Sequence, residues 1–528
     1  MNKIYSLLLV SVLTTVGMTG CSKWLSEPQP AKPGIEDFFA AGGGSAAVQA
    51  VNGAYVPLQW EYGHTYSPEW WIGDVSSDDA LKGGQNISDM SAAFEFDNFK
   101  ISDNNDILLD WYQSNFQGIA RCNFVLEEVP DVEPDSLMDL RTKKRLIAET
   151  KFLRALYYFR LVRVFKEVPL ITFTIQSSSD WKQQRASVED IYAQIIRDLE
   201  DANKDLWTVA EIRRNSAEIG RATKGAAQAM LLKAHLYRQN WGIAKSWGDS
   251  IISSGQYSLE PVYADNFSIY NENGVESVFE VQYSEEASSD YGSFNPHFGG
   301  TRGTFTTILT RSRSTNIPKL ASGGGAEGWG FNKPTQSLYD EFEAGDARRD
   351  ASILNLPDNL MSNPTDEIYL GCRYLTRKYA LMDADNACLW DGHATRAPIN
   401  IKLIRYADVL LMYAEACNES GDVSTATQVL NSLRSVRRAE CADPGTQLQD
   451  FPNYGISDLR SALRHERRVE LALESHRWFD LVRWGIAKQT MDTYKAGETA
   501  AVQAQMGTFI EGTHEYFPLP QYELDLSE

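Results

Sequence analysis

The sequence predicts a mainly α-helical protein: a scaffold of packed helical hairpins carrying an irregular, loop-rich part with minor β-structure. Three observations predict it. Apolar residues recur at helical spacing in both halves, as at Ala148, Phe152, Ala155, Phe159 and Val162, and at Ala407, Leu410, Leu411 and Ala414. From Ala222 to Gly255, small and large residues alternate over ~34 residues, the length of a helix–turn–helix repeat unit. After Gly255 the helical period stops, and residues 284–334 are rich in Gly, Ser and Thr. A long stretch without helical pattern inside a compact chain marks a functional insertion.

The chain has 528 residues, 43% of them hydrophobic, and a net charge of -21, enough material for a large core but a poor match to nucleic acid or an anionic membrane. Its 13 Trp and 24 Tyr supply flat faces that serve either a core or a sugar platform.

In order, residues 1–20 read as a signal peptide: Lys3 is the positive start and Leu7 to Val16 an apolar segment too short to span a bilayer. Met18-Thr19-Gly20-Cys21 resembles a bacterial lipobox, with Cys21 as the lipidated N-terminus; the alternative is an ordinary secretory signal with an incidental Cys. Pro28, Pro30 and Pro33 make residues 21–35 an extended tether, and a single body follows over 36–528. Helical scaffold is expected mainly in 45–60, 106–255 and 404–485, with loop-rich parts mainly in 61–105 and 277–403. Ser45 reads as the cap of the first helix, Pro130 and Pro134 end the second, and Ser187 opens an amphipathic helix with Ile191, Ile195 and Leu199 inward. Ser277 to Tyr283 alternates as a strand. Of the later cysteines, Cys372 and Cys388 are the one pairing considered, and no cysteine pair has zinc-ligand spacing.

Glu466 to Gly485 is a helix with one apolar face, bent or re-started near Ser475. Glu466, Glu470 and Glu474 stack on one side, interleaved with Arg467, Arg468, Arg477, Asp480 and Arg483, and no Lys is present. Arg suits fixed, forked pairing with carboxylates, so this is read as a semi-buried lattice that locks helices together.

That run resembles the C-terminal signature of the SusD/RagB family, as do Cys21-Ser-Lys-Trp-Leu-Ser near the N-terminus, AETKFLRALYYFRLVRVFKEVPLI at 148–171, Gly345 to Asp350, IRYADVLLMYAEA at 404–416 and the terminal FPLP. The resemblance reaches both halves of the chain. It implies four tetratricopeptide-like helical pairs with a loop-built part mounted on them. It further implies a lipid-anchored, surface-exposed outer-membrane protein that captures an oligosaccharide without catalysis and passes it to a SusC-like TonB-dependent transporter.

The residues themselves favour binding over catalysis. No H-E-x-x-H, G-x-S-x-G or phosphate-loop motif occurs, and no cofactor is expected. Glu470 and Glu474 share a face with many Arg, which would hold both ionised and leave no acid for glycoside cleavage. Sugar binding needs aromatic faces with carboxylates, amides or Arg beside them. Trp70 and Trp71 with Asp78 and Asp79, then Tyr291, Phe294 and Phe298, then Trp329 between two glycines, supply that combination in the irregular segments. For each aromatic the alternative is a buried anchor, and for the aspartates a loop cap. Trp329 lies where the family resemblance implies a ligand-stacking aromatic; Gly83-Gly84 stands where another platform can occur, which departs from starch binders. A neutral or weakly charged oligosaccharide is expected. Peptide capture, as in some relatives, and a repeat scaffold with no small-ligand site are the competing readings.

Overall fold

In a computed structural model the described residues are 35–177, 180, 182–285, 303–311, 328–356, 369–381, 397–452 and 454–527. The signal peptide, Cys21 and nearly all of the tether lie outside them, as do Tyr291, Phe294 and Phe298.

Helices pair as hairpins because each carries a continuous apolar face. They are α1 (Ile35–Tyr55) with α2 (Asp106–Glu128), α3 (Leu140–Phe165) with α4 (Val188–Asp205), α5 (Lys224–Tyr237) with α6 (Trp241–Ser253), and α7 (Tyr406–Glu419) with α8 (Val423–Arg438). Successive pairs touch, α4 against α5 and α6 against α7, so the scaffold is a continuous stack. Caps set the boundaries: Asn105, Asp139, Ser187, Thr223 and Asp422 each accept from backbone amides of the first turn. Close approach is bought by small residues. At Gly118 of α2 a Cβ would fall 2.4 Å from the Tyr157 ring of α3, and at Gly225 of α5 it would fall 2.3 Å from the Tyr257 hydroxyl. Leu153, Phe152, Leu231 and Leu411 fill the space between the layers, each burial contributing about 1.5–3 kcal/mol.

A short helical stretch precedes the first helix that the sequence suggests, and the two run together as one span. Ser45 is not its cap; α1 begins at Ile35 and kinks at Gly43, where φ is +49°. Asp135 accepts from the Gly44 amide at 2.7 Å and replaces the helical bond lost at the kink. The helix then ends before Pro57, in a 3₁₀ turn.

Residues 61–105 are more ordered than their composition suggests. Trp71–Val75 is one turn of π-helix, Ala80–Gly83 is strand β1, and Ser91–Asp97 is a short helix. The other strands are β2 (Ser277–Val281), β3 (Phe331–Pro334), β4 (Ile353–Asn355), β5 (Tyr374–Thr376) and β6 (Ile401–Arg405). They form three antiparallel pairs, β1–β3, β2–β6 and β4–β5. Of these, β1–β3 matters most for the site: Ala80 faces Pro334 and Gly83 faces Phe331, so two segments distant in sequence become neighbours. Cys372 has a free thiol that donates to the Pro334 carbonyl at 3.1 Å; Cys388, the partner considered for it, lies outside the described residues.

Helix α9 (Ile456–Glu470) stops at a tight break and the chain re-enters helix as α10 (Arg477–Arg483), followed by α11 (Ala487–Gly497). Leu473 and Ser475 at the break have φ of +61° and +64°, a conformation costly for residues with a side chain. It is held from outside. Asp74 accepts from the Ser475 amide at 2.9 Å, and the lack of a side chain at Gly73 lets the Ser475 backbone come within 2.6 Å of where a Cβ would stand.

Around this break lies a buried ion-pair lattice. Glu470 accepts from Arg405 at 2.6 Å, Arg348 at 2.8 Å and Arg437 at 2.9 Å. Glu466 holds Arg348 and Arg434, and Glu474 holds Arg405 and Lys378. Asp480 holds Arg467 and Arg483, Asp408 takes Arg467 and Lys233, and Arg477 reaches Asp78. Burial alone would raise the Glu470 carboxyl; Arg437, Arg405 and Arg348 together pull it well below the usual carboxylate range. Asp480 is drawn down to about 2 against the same burial, by Arg467 and Arg483.

Asp74 behaves oppositely. Burial, then the nearby charge of Asp79, push it up to about 8, more than the Asn332 and Ser475 hydrogen bonds and the Lys378 charge can offset. A carboxyl raised in the folded state contributes stability that is complete below its unfolded value of about 4 and lost as pH rises through 8. Asp74→Asn keeps an acceptor for Ser475 and removes this titration. Its unfolding midpoint should therefore decline less than the parent's between pH 5 and 9, an idea abandoned if thermal scans of the two chains fall in parallel.

Candidate functional site

The turn Glu61–Ser67 presents three side chains at the surface. Tyr62 and Tyr66 bridge as a minimal antiparallel pair with rings 4.7 Å apart, both half-buried, and His64 at the tip is exposed. So short a turn is not held by its own backbone alone; two buried carboxylates, Asp110 and Glu61, tie it down. Asp110, on α2 and with no side-chain exposure, accepts from the His64 amide at 2.9 Å, the Thr65 amide at 2.9 Å and the His64 Nδ1 at 2.7 Å. That bond fixes the ring of the exposed His64 through Nδ1. Glu61 accepts from the Phe305 amide at 2.6 Å and from the hydroxyls of Thr304 and Thr306 at 2.7 and 2.9 Å, tying the turn to the segment 303–311. Burial raises the Glu61 carboxyl in spite of those bonds.

Trp329 joins this cluster. Its ring meets Tyr66 edge-on at 5.0 Å and 77°, and it is half-buried. Its amide donates to the Ile308 carbonyl at 2.8 Å. Both flanking glycines are required. A Cβ at Gly328 would overlap Arg311 at 2.2 Å, and Gly330, with φ of +68°, accepts from the Gly84 amide at 2.8 Å. Tyr62, Tyr66 and Trp329 thus form an aromatic cluster over the buried Phe305. It can stack the apolar faces of sugar rings, and the His64 ring supplies a hydrogen-bonding atom beside it.

The other residues singled out in the sequence lie elsewhere. Trp70 and Trp71 are not platforms: they are 4% and 0% exposed, with indole nitrogens bonded to the Thr306 hydroxyl and the Tyr66 carbonyl. They anchor the turn from inside, since both ends of the pair face packed elements. Asp78 and Asp79 are not loop caps. Both are buried and forked onto Arg477 and Arg468, Asp78 accepting from Arg477 at 2.8 and 2.9 Å and Asp79 from Arg468 at 2.8 Å. Asp78 and Trp329 sit at opposite ends of the β1–β3 pair and do not share a site. Sequence reasoning missed Tyr62, His64 and Tyr66. The available signal was the alternation Tyr-Gly-His-Thr-Tyr around a glycine, which is a tight-turn pattern.

Comparison with known proteins agrees with this architecture. Residues 373–528 match the SusD family model, and residues 61–236 match a family described as starch-binding associating with outer membrane. SusD-like protein P25 of Formosa agariphila is 26% identical over 438 residues, covering 79% of this chain and 77% of its own length. Among solved structures, a laminarin-binding SusD-like protein superposes with a TM-score of 0.75 at 28% identity, covering 91% of this chain and 97% of the other. Surface glycan-binding protein A from Bacteroides fluxus does so at 0.75 and 25%, covering 91% and 96%. With the hairpin stack, the buried lattice at the C-terminal break and matches at both ends of the chain, this protein belongs to the SusD/RagB family.

Proposed function

We propose that the protein is a non-catalytic, cell-surface lipoprotein of the outer membrane that captures a neutral or weakly charged oligosaccharide. Tyr62, Tyr66 and Trp329 stack the sugar rings, and His64 bonds a hydroxyl. The observation that carries this reading is the aromatic cluster itself: three half-buried rings on turns that buried Asp110 and Glu61 hold in place before any ligand arrives. Relatives named for binding laminarin and surface glycans support the ligand class. In the same reading residues 1–20 are removed, Cys21 carries the lipid, 21–35 is the tether, and the body 36–528 delivers its cargo to a SusC-like TonB-dependent transporter.

Residues 22–528 should retain glycans from an array that includes laminarin and starch oligosaccharides, with calorimetry giving the affinity of each hit. Pull-down from outer membranes by the lipidated chain should recover a large β-barrel transporter. A blank array and a blank pull-down together would sink the proposal.

A further inference from the structure

A second cleft, of about 690 Å³, opens at the Asp78 end of the β1–β3 pair, away from Trp329. That volume lies within the ~300–1,000 Å³ usual for small-ligand sites. Its walls come from the helix Gln336–Glu341, from α9 and from α11. Gln336, Gln489, Thr490 and Thr493 face it with neutral hydrogen-bonding groups. Much of its charged wall is paired internally: Asp78 takes both Arg477 and Arg468, and Arg468 also takes Asp79 and Glu341.

Two polar atoms at this cleft are buried without a hydrogen-bond partner: the Tyr494 hydroxyl and the Arg464 Nε. Tyr494 is 6% exposed, and its hydroxyl makes no full hydrogen bond, although it lies close enough to the Glu498 carboxylate on the cleft wall to offset part of the rise that burial gives that carboxyl. Arg464 spends its guanidinium face on the Trp484 ring, 5.0 Å away. A buried polar atom left unsatisfied is costly to the fold, and a ligand hydroxyl would satisfy it.

We infer that this cleft is a second saccharide site, built for a neutral, hydroxyl-rich ligand that accepts from Arg464 and bonds the Tyr494 hydroxyl. The ligand class rests on the proposed function; the location does not. The balanced charge argues against a strongly anionic ligand, and the amide and hydroxyl walls argue against an apolar one.

The test is hydrogen exchange on residues 22–528 with laminarihexaose and maltohexaose up to millimolar concentrations, for the parent, Trp329→Ala and Tyr494→Phe. The expected result is protection at 61–67 and 328–331 and, separately, at 486–499. Tyr494→Phe should weaken the second by about tenfold while leaving the first intact, and Trp329→Ala should do the reverse. Tyr494→Phe removes only a hydroxyl that makes no full hydrogen bond in the fold, so its unfolding midpoint should stay level. Protection confined to 61–67 and 328–331 overturns the second site and leaves the proposed function standing. Protection confined to 486–499 upholds this cleft and moves the binding site away from Trp329. No protection by either sugar overturns the inference.

Discussion

Glu470→Gln should remove about 3–5 kcal/mol of folding stability, the largest loss expected from a single conservative change in this chain. Glu470 has no exposed surface and faces three guanidiniums, from Arg348 before β4, Arg405 at the end of β6 and Arg437 in α8. Gln keeps the shape but removes the charge and turns an amide donor toward groups that can only donate. Breaking one side of a buried pair costs this much because the partner charges stay buried and uncompensated. The loss is softened because each arginine keeps other carboxylates: Arg437 and Arg405 retain Glu276, and Arg348 retains Glu466 and Asp346. Lys488→Ala, which cuts the exposed pair with Asp492, is the control and should cost under ~1 kcal/mol. Denaturant unfolding of both variants decides the matter: equal shifts would mean that the lattice is not what locks the helices. The pH response has a defined sign. Because Glu470 is depressed in the folded chain, its contribution is complete above the unfolded carboxylate range near 4 and is lost as pH falls below it.

The lattice also shows how far the sequence could be read. Glutamates spaced by four, interleaved with arginines and free of lysine, identify one side of it, and the break near Ser475 follows from where the apolar stripe loses its phase. The other side was not legible, because Arg348, Arg405 and Arg437 lie in three segments that only the folded stack brings to Glu470. Hairpin helices were legible because each is set by its own period and cap. Local composition misled where distant groups decide the outcome. Trp70-Trp71 reads as a platform until Thr306 and the π-helical turn enclose it. Tyr62 and Tyr66 were passed over for the same reason. Nothing in their neighbourhood announces that Asp110, more than forty residues on, cinches the turn.

Trp329→Ala should weaken glycan binding by about 30-fold or more, the ~2 kcal/mol typical of a central aromatic anchor. Trp329 packs edge-on against Tyr66, whose ring also meets Tyr62 and Phe305, so one truncation removes a stacking face and loosens its neighbour. Stability should fall much less than for Glu470→Gln: Trp329 is half-buried, and Trp329 and Gly330 keep their backbone bonds. Trp329→Phe separates contact from architecture. It retains a flat ring in the same place and should restore most of the affinity, whereas a residue needed only to shape the loop would not discriminate between Ala and Phe through binding alone. Calorimetry on an array hit, with thermal unfolding of the same samples, gives both readings. Parent-like affinity in Trp329→Ala would remove this cluster from the binding site. A large loss shared equally by Ala and Phe, with a matching fall in unfolding midpoint, would make Trp329 a support and leave Tyr62 and Tyr66 as the surface that meets the sugar.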